Sequence, residues 1–269
     1  MRCQFVFKSI VWCVVAVLVF PASLYAGISV ENGLTHEFEV NPGNSYGGEI
    51  EIANYGDHDQ YVKIYQKDFL FNENGESFYL EPGSVKRSNA HWIDIDASYI
   101  KIPAQRTIIV KYEIKVPDDT LTGSYWSLIM VEGVNNIDTG MLSKGVNVNT
   151  VIRYGIQIIT SIGNTGSRKL KFLSTELIKE DTVRYLKVDI QNLGERYLRP
   201  VLKLELFDNE GKSIGVFQSG RRKIYPGTSV RMKIILTDVA PGKYQALLIA
   251  DSDEDEVFGV NITLEIKDG

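Results

Sequence analysis

Residues 146–159 read VNVNTVIRYGIQII, and they constrain the fold more than any other stretch. One register holds Val146, Val148, Thr150, Ile152, Tyr154, Ile156 and Ile158; the other holds Asn147, Asn149, Val151, Arg153, Gly155, Gln157 and Ile159. Alternation with period two over this length specifies a long β-strand with one apolar face and one mostly polar face. No stretch after residue 26 sustains a 3.6-residue period, so the chain reads as all-β. A loop rich in Gly, Asn and Ser (132–145) precedes the strand, and Gly163-Asn164-Thr165-Gly166-Ser167 follows it as a hinge. The strand therefore closes one domain and leads into another.

The first 26 residues stand apart. Arg2 and Lys8 give a positive start, residues 10–20 are an unbroken apolar run, and 21–26 end in the small residue Ala26. This is the pattern of a secretory signal peptide cut after Ala26, and the run is shorter than the roughly 20 residues a spanning helix needs. Cys3 and Cys13 both fall inside it, so the mature chain is expected to hold no disulfide, no thiol chemistry and no cysteine-based zinc site. Without Arg2 and Lys8, 27 basic residues face 34 acidic ones, a net charge of −7. That balance argues against nucleic acid, which is bound by clustered positive charge. Export places the protein in the periplasm or at the cell surface, with no transmembrane segment in the mature chain.

The remaining 243 residues suit two domains, 27–163 and 167–269. In the first, strands are expected at 35–40, 48–54, 60–69, 93–95, 99–102, 106–116 and 123–131, before the long one. In the second they are expected at 170–178, 183–192, 201–208, 213–218, 229–236, 242–251 and 257–266. The halves share a series of motifs in the same order. Glu51 to Gly56 (EIANYG) recurs as Asp189 to Gly194 (DIQNLG), and Asn72-Glu73-Asn74-Gly75 as Asp208-Asn209-Glu210-Gly211. Ile102 to Thr107 recurs as Tyr225 to Val230, and Gly123-Ser124-Tyr125 as Gly242-Lys243-Tyr244. About seven short strands per copy, with Gly-x-Tyr opening the penultimate strand at a tyrosine corner, give two tandem immunoglobulin-like β-sandwiches.

The residues Ser88-Asn89-Ala90-His91-Trp92-Ile93, then Ile102-Pro103, Val116-Pro117 and Gly123-Ser124-Tyr125, resemble the Trp-Ile, Pro, Pro, Tyr series of divergent members of the periplasmic pilus-chaperone (PapD-like) superfamily. The resemblance covers nearly the whole mature chain through short motifs. A related resemblance is to immunoglobulin-like domains of Gram-positive cell-surface proteins that bind peptidoglycan or surface partners. The first resemblance implies that the long strand is a donor strand, lending Val146, Val148, Thr150, Ile152 and Tyr154 to an incomplete pilin-like client. It also implies that a basic residue of that strand grips the client's C-terminal carboxylate in the cleft between the domains, and Arg153 matches in position. The family's second cleft cation, an arginine on the first strand, has no counterpart in residues 28–38.

Each candidate also has a purely structural reading. The alternating apolar row equally suits a strand facing its own core, and Arg153 equally suits an ion pair with Asp181, Glu195 or another acid that fixes the angle between the domains. The acidic run 251–256 reads as a solvated hairpin tip rather than a calcium loop, because it lacks a glycine and the loop spacing. Arg221-Arg222-Lys223, with Lys212 and Arg231, reads as polar outer face rather than an anionic-glycan site. Trp92, Tyr99, Tyr125 and Trp126 read as core rather than a sugar platform. Asn261-Ile262-Thr263 matches a glycosylation acceptor in mid-strand. His36, His58 and His91 lie in separate segments with no nucleophile or metal spacing around them, so the expectation is a binding protein without catalysis or cofactor. Two functions fit: a periplasmic chaperone-like protein that binds an exported, pilin-type polypeptide by strand addition, or a structural or adhesive module that binds cell wall or another surface protein.

Overall fold

The computed structural model describes residues 27–134, 151–252 and 256–267. In the first half the strands are β1 (Ile28–Val30), β2 (Thr35–Val40), β3 (Ser45–Asn54), β4 (Gln60–Phe71), β5 (Ser77–Leu80), β6 (Ile93–Ile95), β7 (Tyr99–Ile102), β8 (Arg106–Lys115), β9 (Gly123–Val134) and β10 (Arg153–Ile162). In the second half they are β11 (Leu170–Glu180), β12 (Val183–Asn192), β13 (Val201–Phe207), β14 (Ser213–Gln218), β15 (Ser229–Ile235), β16 (Gly242–Asp251) and β17 (Val257–Ile266). The helical element among them is a single 3₁₀ turn, Ala90–Trp92, and no helix of the described residues is long and apolar enough to cross a membrane.

Each half is a two-layer sandwich. In the first, the sheet β1-β3-β8-β6 faces the sheet β2-β10-β9-β4-β5, with β7 also on β4; in the second, β11-β12-β15 faces β14-β13-β16-β17. Period-two patterning sets the layers. Val110, Tyr112 and Ile114 of β8 point inward while Lys111 and Glu113 stay in water, and Leu202, Leu204 and Leu206 do the same on β13. Ile50, Ile52, Val62, Ile64, Ile129, Val131, Ile156 and Ile158 fill the first core; Leu186, Val188, Ile190, Leu202, Leu204, Ile234 and Leu248 fill the second.

The repeated motifs form the same structure twice. Asn54 ends β3 and Asn192 ends β12, both buried. Each accepts the amide N–H two residues on, Gly56 or Gly194, at 2.9 Å. Each then donates to a carbonyl four residues on and to carbonyls distant in sequence: Asn54 to His58, Ile102 and Pro103, Asn192 to Arg196 and Ile224. Asn72 and Asp208 likewise cap equivalent turns, each accepting from the backbone two and four residues on. The Gly-x-Tyr pair diverges. Tyr244 donates to the Ala240 carbonyl at 2.9 Å, a tyrosine corner. Tyr125 instead packs on Trp92, with ring centroids 4.7 Å apart, and takes Arg87 over its face.

The segment expected to be a hinge is a tight corner. A side chain on Gly166 would strike the backbone of Gly123, and one on Gly123 would strike the Glu195 carbonyl. Both glycines have positive φ, +86° and +75°. The Ser124 N–H donates to the Glu195 carbonyl at 2.9 Å and the Arg196 guanidinium to the Gly163 carbonyl, so main chains of the two halves are bonded directly.

Candidate functional site

The donor-strand candidates divide. Val146, Val148 and Thr150 lie outside the described residues. Among the described residues the strand spans Arg153–Ile162 and ends three residues past its expected end. Thr160, beyond the expected end, is buried and satisfied: its hydroxyl meets Tyr46 at 2.6 Å and the Asn89 amide at 2.9 Å. The inward row is Ile152, Tyr154, Ile156 and Ile158. Ile156 and Ile158 are fully buried in the first core, Tyr154 packs against it and donates to the Ile28 carbonyl, and Ile152 is 43% exposed.

What distinguishes β10 is its edge. Along its full length it pairs antiparallel with β9, from Arg153 opposite Glu132 to Ile162 opposite Gly123. On its other side it pairs parallel with β2, but only from Gln157, opposite Thr35, to Ile162. Ile152 gives its carbonyl to Gly133 on the β9 side, and Gln157 gives its N–H to Leu34 on the β2 side. Main-chain groups alternate in direction along a strand, so Arg153 and Gly155 present theirs on the β2 side. Among the described residues no strand pairs with β10 there.

The outer face of this sheet carries three cross-strand rows: Arg153–Glu132–Lys63, Gly155–Met130–Tyr65 and Gln157–Leu128–Lys67. In the first, Arg153 Nε lies 2.8 Å from Glu132 Oε2, and the Tyr65 hydroxyl donates to the same carboxylate at 2.6 Å. The Tyr65 hydrogen bond and the Arg153 charge outweigh partial burial and hold the Glu132 carboxyl below its usual range. The ion pair expected for Arg153 thus forms inside one domain. Glu195 pairs instead with Arg87, at 2.9 Å, and that contact does bridge the domains. A groove of about 340 Å³ sits over these rows, lined by Tyr65, Lys67, Phe69, Tyr79, Leu128, Met130, Arg153, Gly155 and Gln157.

A second cavity of about 340 Å³ opens between the domains and shares Phe69 and Gln157 with the groove. Its walls include Thr35, the β4–β5 turn, Arg222, Lys223, Tyr225 and Arg231. Arg153 is not among its lining residues; it lies four residues, about 13 Å, up the strand from Gln157. The cations that face the cleft come from the basic cluster read as outer surface. Lys223 holds Glu37 at 2.9 Å and Arg231 holds Asp189 through two 2.8 Å hydrogen bonds, while the Arg222 side chain has no partner among the described residues. Burial raises the Glu37 carboxyl, but Tyr197, Lys223 and Arg199 together draw it below its usual range.

The aromatics also sort differently from expectation. Trp126 is 2% exposed, yet it fills the junction rather than a domain core: it stacks on Tyr225 at 4.8 Å and 8°, and its indole N–H donates to the Phe69 carbonyl. Trp92 and Tyr125 pack against each other with their rings tilted by 44°, and Tyr99 is 56% exposed. In the acidic run, Asp251 pairs with Lys203 at 2.7 Å, while 253–255 fall outside the described residues. No group of three or more His, Cys, Asp or Glu among the described residues is arranged to hold a metal.

No family model matches the chain, and no curated protein does. Solved structures similar to it include a chain of the chaperone–tip adhesin complex of CFA/I fimbriae biogenesis, at 12% identity and TM-score 0.49. They also include the class 5 fimbriae chaperone CfaA, at 13% and 0.48. A third is a chain of the CsuC–CsuE chaperone–tip adhesion subunit pre-assembly complex from the archaic chaperone–usher Csu pili of Acinetobacter baumannii, at 12% and 0.46. Each similarity covers 88% of this chain and 98% of the other.

Proposed function

We propose that this protein binds an exported polypeptide by strand addition at the N-terminal part of β10, acting as a periplasmic chaperone-like protein for a pilin-type subunit. One observation carries the reading: among the described residues β10 is paired on one side along its length and on the other only from Gln157 onward. An edge with unpaired N–H and C=O groups is a template for another chain, and added strands gain main-chain hydrogen bonds plus side-chain contacts on the sheet faces. Arg153 and Gly155 supply those groups. The half-exposed Ile152 gives the visitor an apolar neighbour on the inner face, and the groove gives it one on the outer face.

The test is site-specific photo-crosslinking in the native host, from position 153 and from Ile109, which is exposed on the opposite sheet. Position 153 should crosslink to an exported polypeptide, and Gly155→Pro, which removes one outward N–H, should abolish that product. Equal crosslinking from position 109, or a product that survives Gly155→Pro, would overturn strand addition. Retention on isolated peptidoglycan unaffected by Gly155→Pro would assign the protein to the wall-binding class instead.

A further inference from the structure

Gly155 is a glycine where the chain's own fold does not require one. It lies inside β10, and its φ is outside the left-handed region that favours glycine. A Cβ there would sit 3.4 Å from Leu128 Cδ1 and 3.5 Å from Met130 Sδ, ordinary contact distances. Neither backbone conformation nor packing excludes a side chain, and glycine weakens a strand by its conformational entropy. Strand glycines accompany bulges, sharp bends or the close approach of another backbone, and the register with β9 runs through Gly155 without a bulge.

Its surroundings say what approaches. The missing side chain opens the groove directly onto Leu128 and Met130, with Tyr65 beyond them and Arg153 and Gln157 on either side along the strand. Gly155 also presents its N–H and C=O at the open edge, so an occupant that satisfies both features is an extended polypeptide. A strand added there places one residue opposite Gly155, with side chains about 5 Å apart on the same outer face. An aromatic ring at that position covers an edge glycine and shields its backbone from water. The Met130 sulfur within reach favours a ring over an aliphatic group.

We propose that the segment bound at β10 carries an aromatic residue opposite Gly155, its ring lying over the glycine onto Met130 and Leu128. The proposal rests on the strand-addition reading and adds to it the side chain that sets which segments are accepted.

The experiment uses two synthetic peptides of alternating Val and Thr, identical except for Phe or Ala at one outward position, titrated against the full mature protein by fluorescence anisotropy. The Phe peptide should bind about ten-fold tighter, a difference of about 1.4 kcal/mol. In Gly155→Val, whose side chain occupies the same space, the ratio of the two affinities should fall to about one. Gly155→Ala serves the same comparison should Gly155→Val lose cooperative urea unfolding. Equal affinities in the unsubstituted protein, with both lost in Gly155→Pro, would overturn the aromatic preference and leave strand addition standing. Binding by neither peptide would overturn both. Sedimentation of the free protein as a dimer that Gly155→Pro renders monomeric would give the edge to a second copy of this chain and overturn the proposal.

Discussion

Asn54 and Asn192 show how much one residue type carries in this chain. Each sits at the end of an early strand, is almost completely buried, and ties its own turn to a carbonyl more than thirty residues further along the chain, Ile102 or Ile224. Replacing either by alanine leaves several buried carbonyls and an amide without a partner, which costs about 1–3 kcal/mol. Urea unfolding of Asn54→Ala and Asn192→Ala should show losses of similar size, because the bonding is the same in both copies. Trp126→Ala should cost more, about 3–5 kcal/mol, since it removes a large buried ring from a stack with Tyr225. The loss should appear as undocking of the halves before either unfolds, read by calorimetry. Both asparagines were legible as members of a repeated motif. The role of Trp126 was not, because a buried tryptophan has the same sequence signature whether it fills a domain or joins two.

At the scale of elements, the long alternating strand was legible and its edge was not. The strands expected from residue 35 on form wherever the described residues cover them, but β1 and β5 carried no signal. β1 has three residues, and all four of β5 are exposed, so neither shows an alternation of burial. β1 matters to the candidate site because the chain leaves one sheet after Val30 and joins the other at Thr35, so that β2 pairs with β10 only from Gln157 onward. A direct check compares two prolines. Ile156→Pro removes a fully buried side chain and an N–H directed at β9, and should cost at least about 3 kcal/mol. Gly155→Pro removes an N–H that no strand among the described residues uses, and should cost less than about half as much. Equal losses in urea unfolding would mean that the edge is occupied from within.

For the whole molecule, the junction decides what the cleft can do. The β4–β5 turn reaches the second domain, where Glu73 bonds Ser229 and Phe71 packs against the second core. Glu37 is held from the second domain by Tyr197, Arg199 and Lys223. Its carboxyl lies below the usual glutamate range in the docked protein, so its contribution is complete above that range and is lost as pH falls through the depressed value. Acidification should therefore loosen the domains before it unfolds them, and Glu37→Gln should flatten that response. Trp126 fluorescence against pH measures both; identical profiles would remove Glu37 from the linkage.

By itself the sequence determined the class of fold, the repeat, and the strand on which the site is built, because period-two alternation and turn chemistry are local properties of neighbouring residues. Only the tertiary structure decided that Arg153 pairs with Glu132, that the cleft cations come from the second domain, and that, among the described residues, no strand pairs with the β2 side of β10 before Gln157. Those depend on which strands lie side by side, and a strand's own residues read the same whether its edge is covered or open.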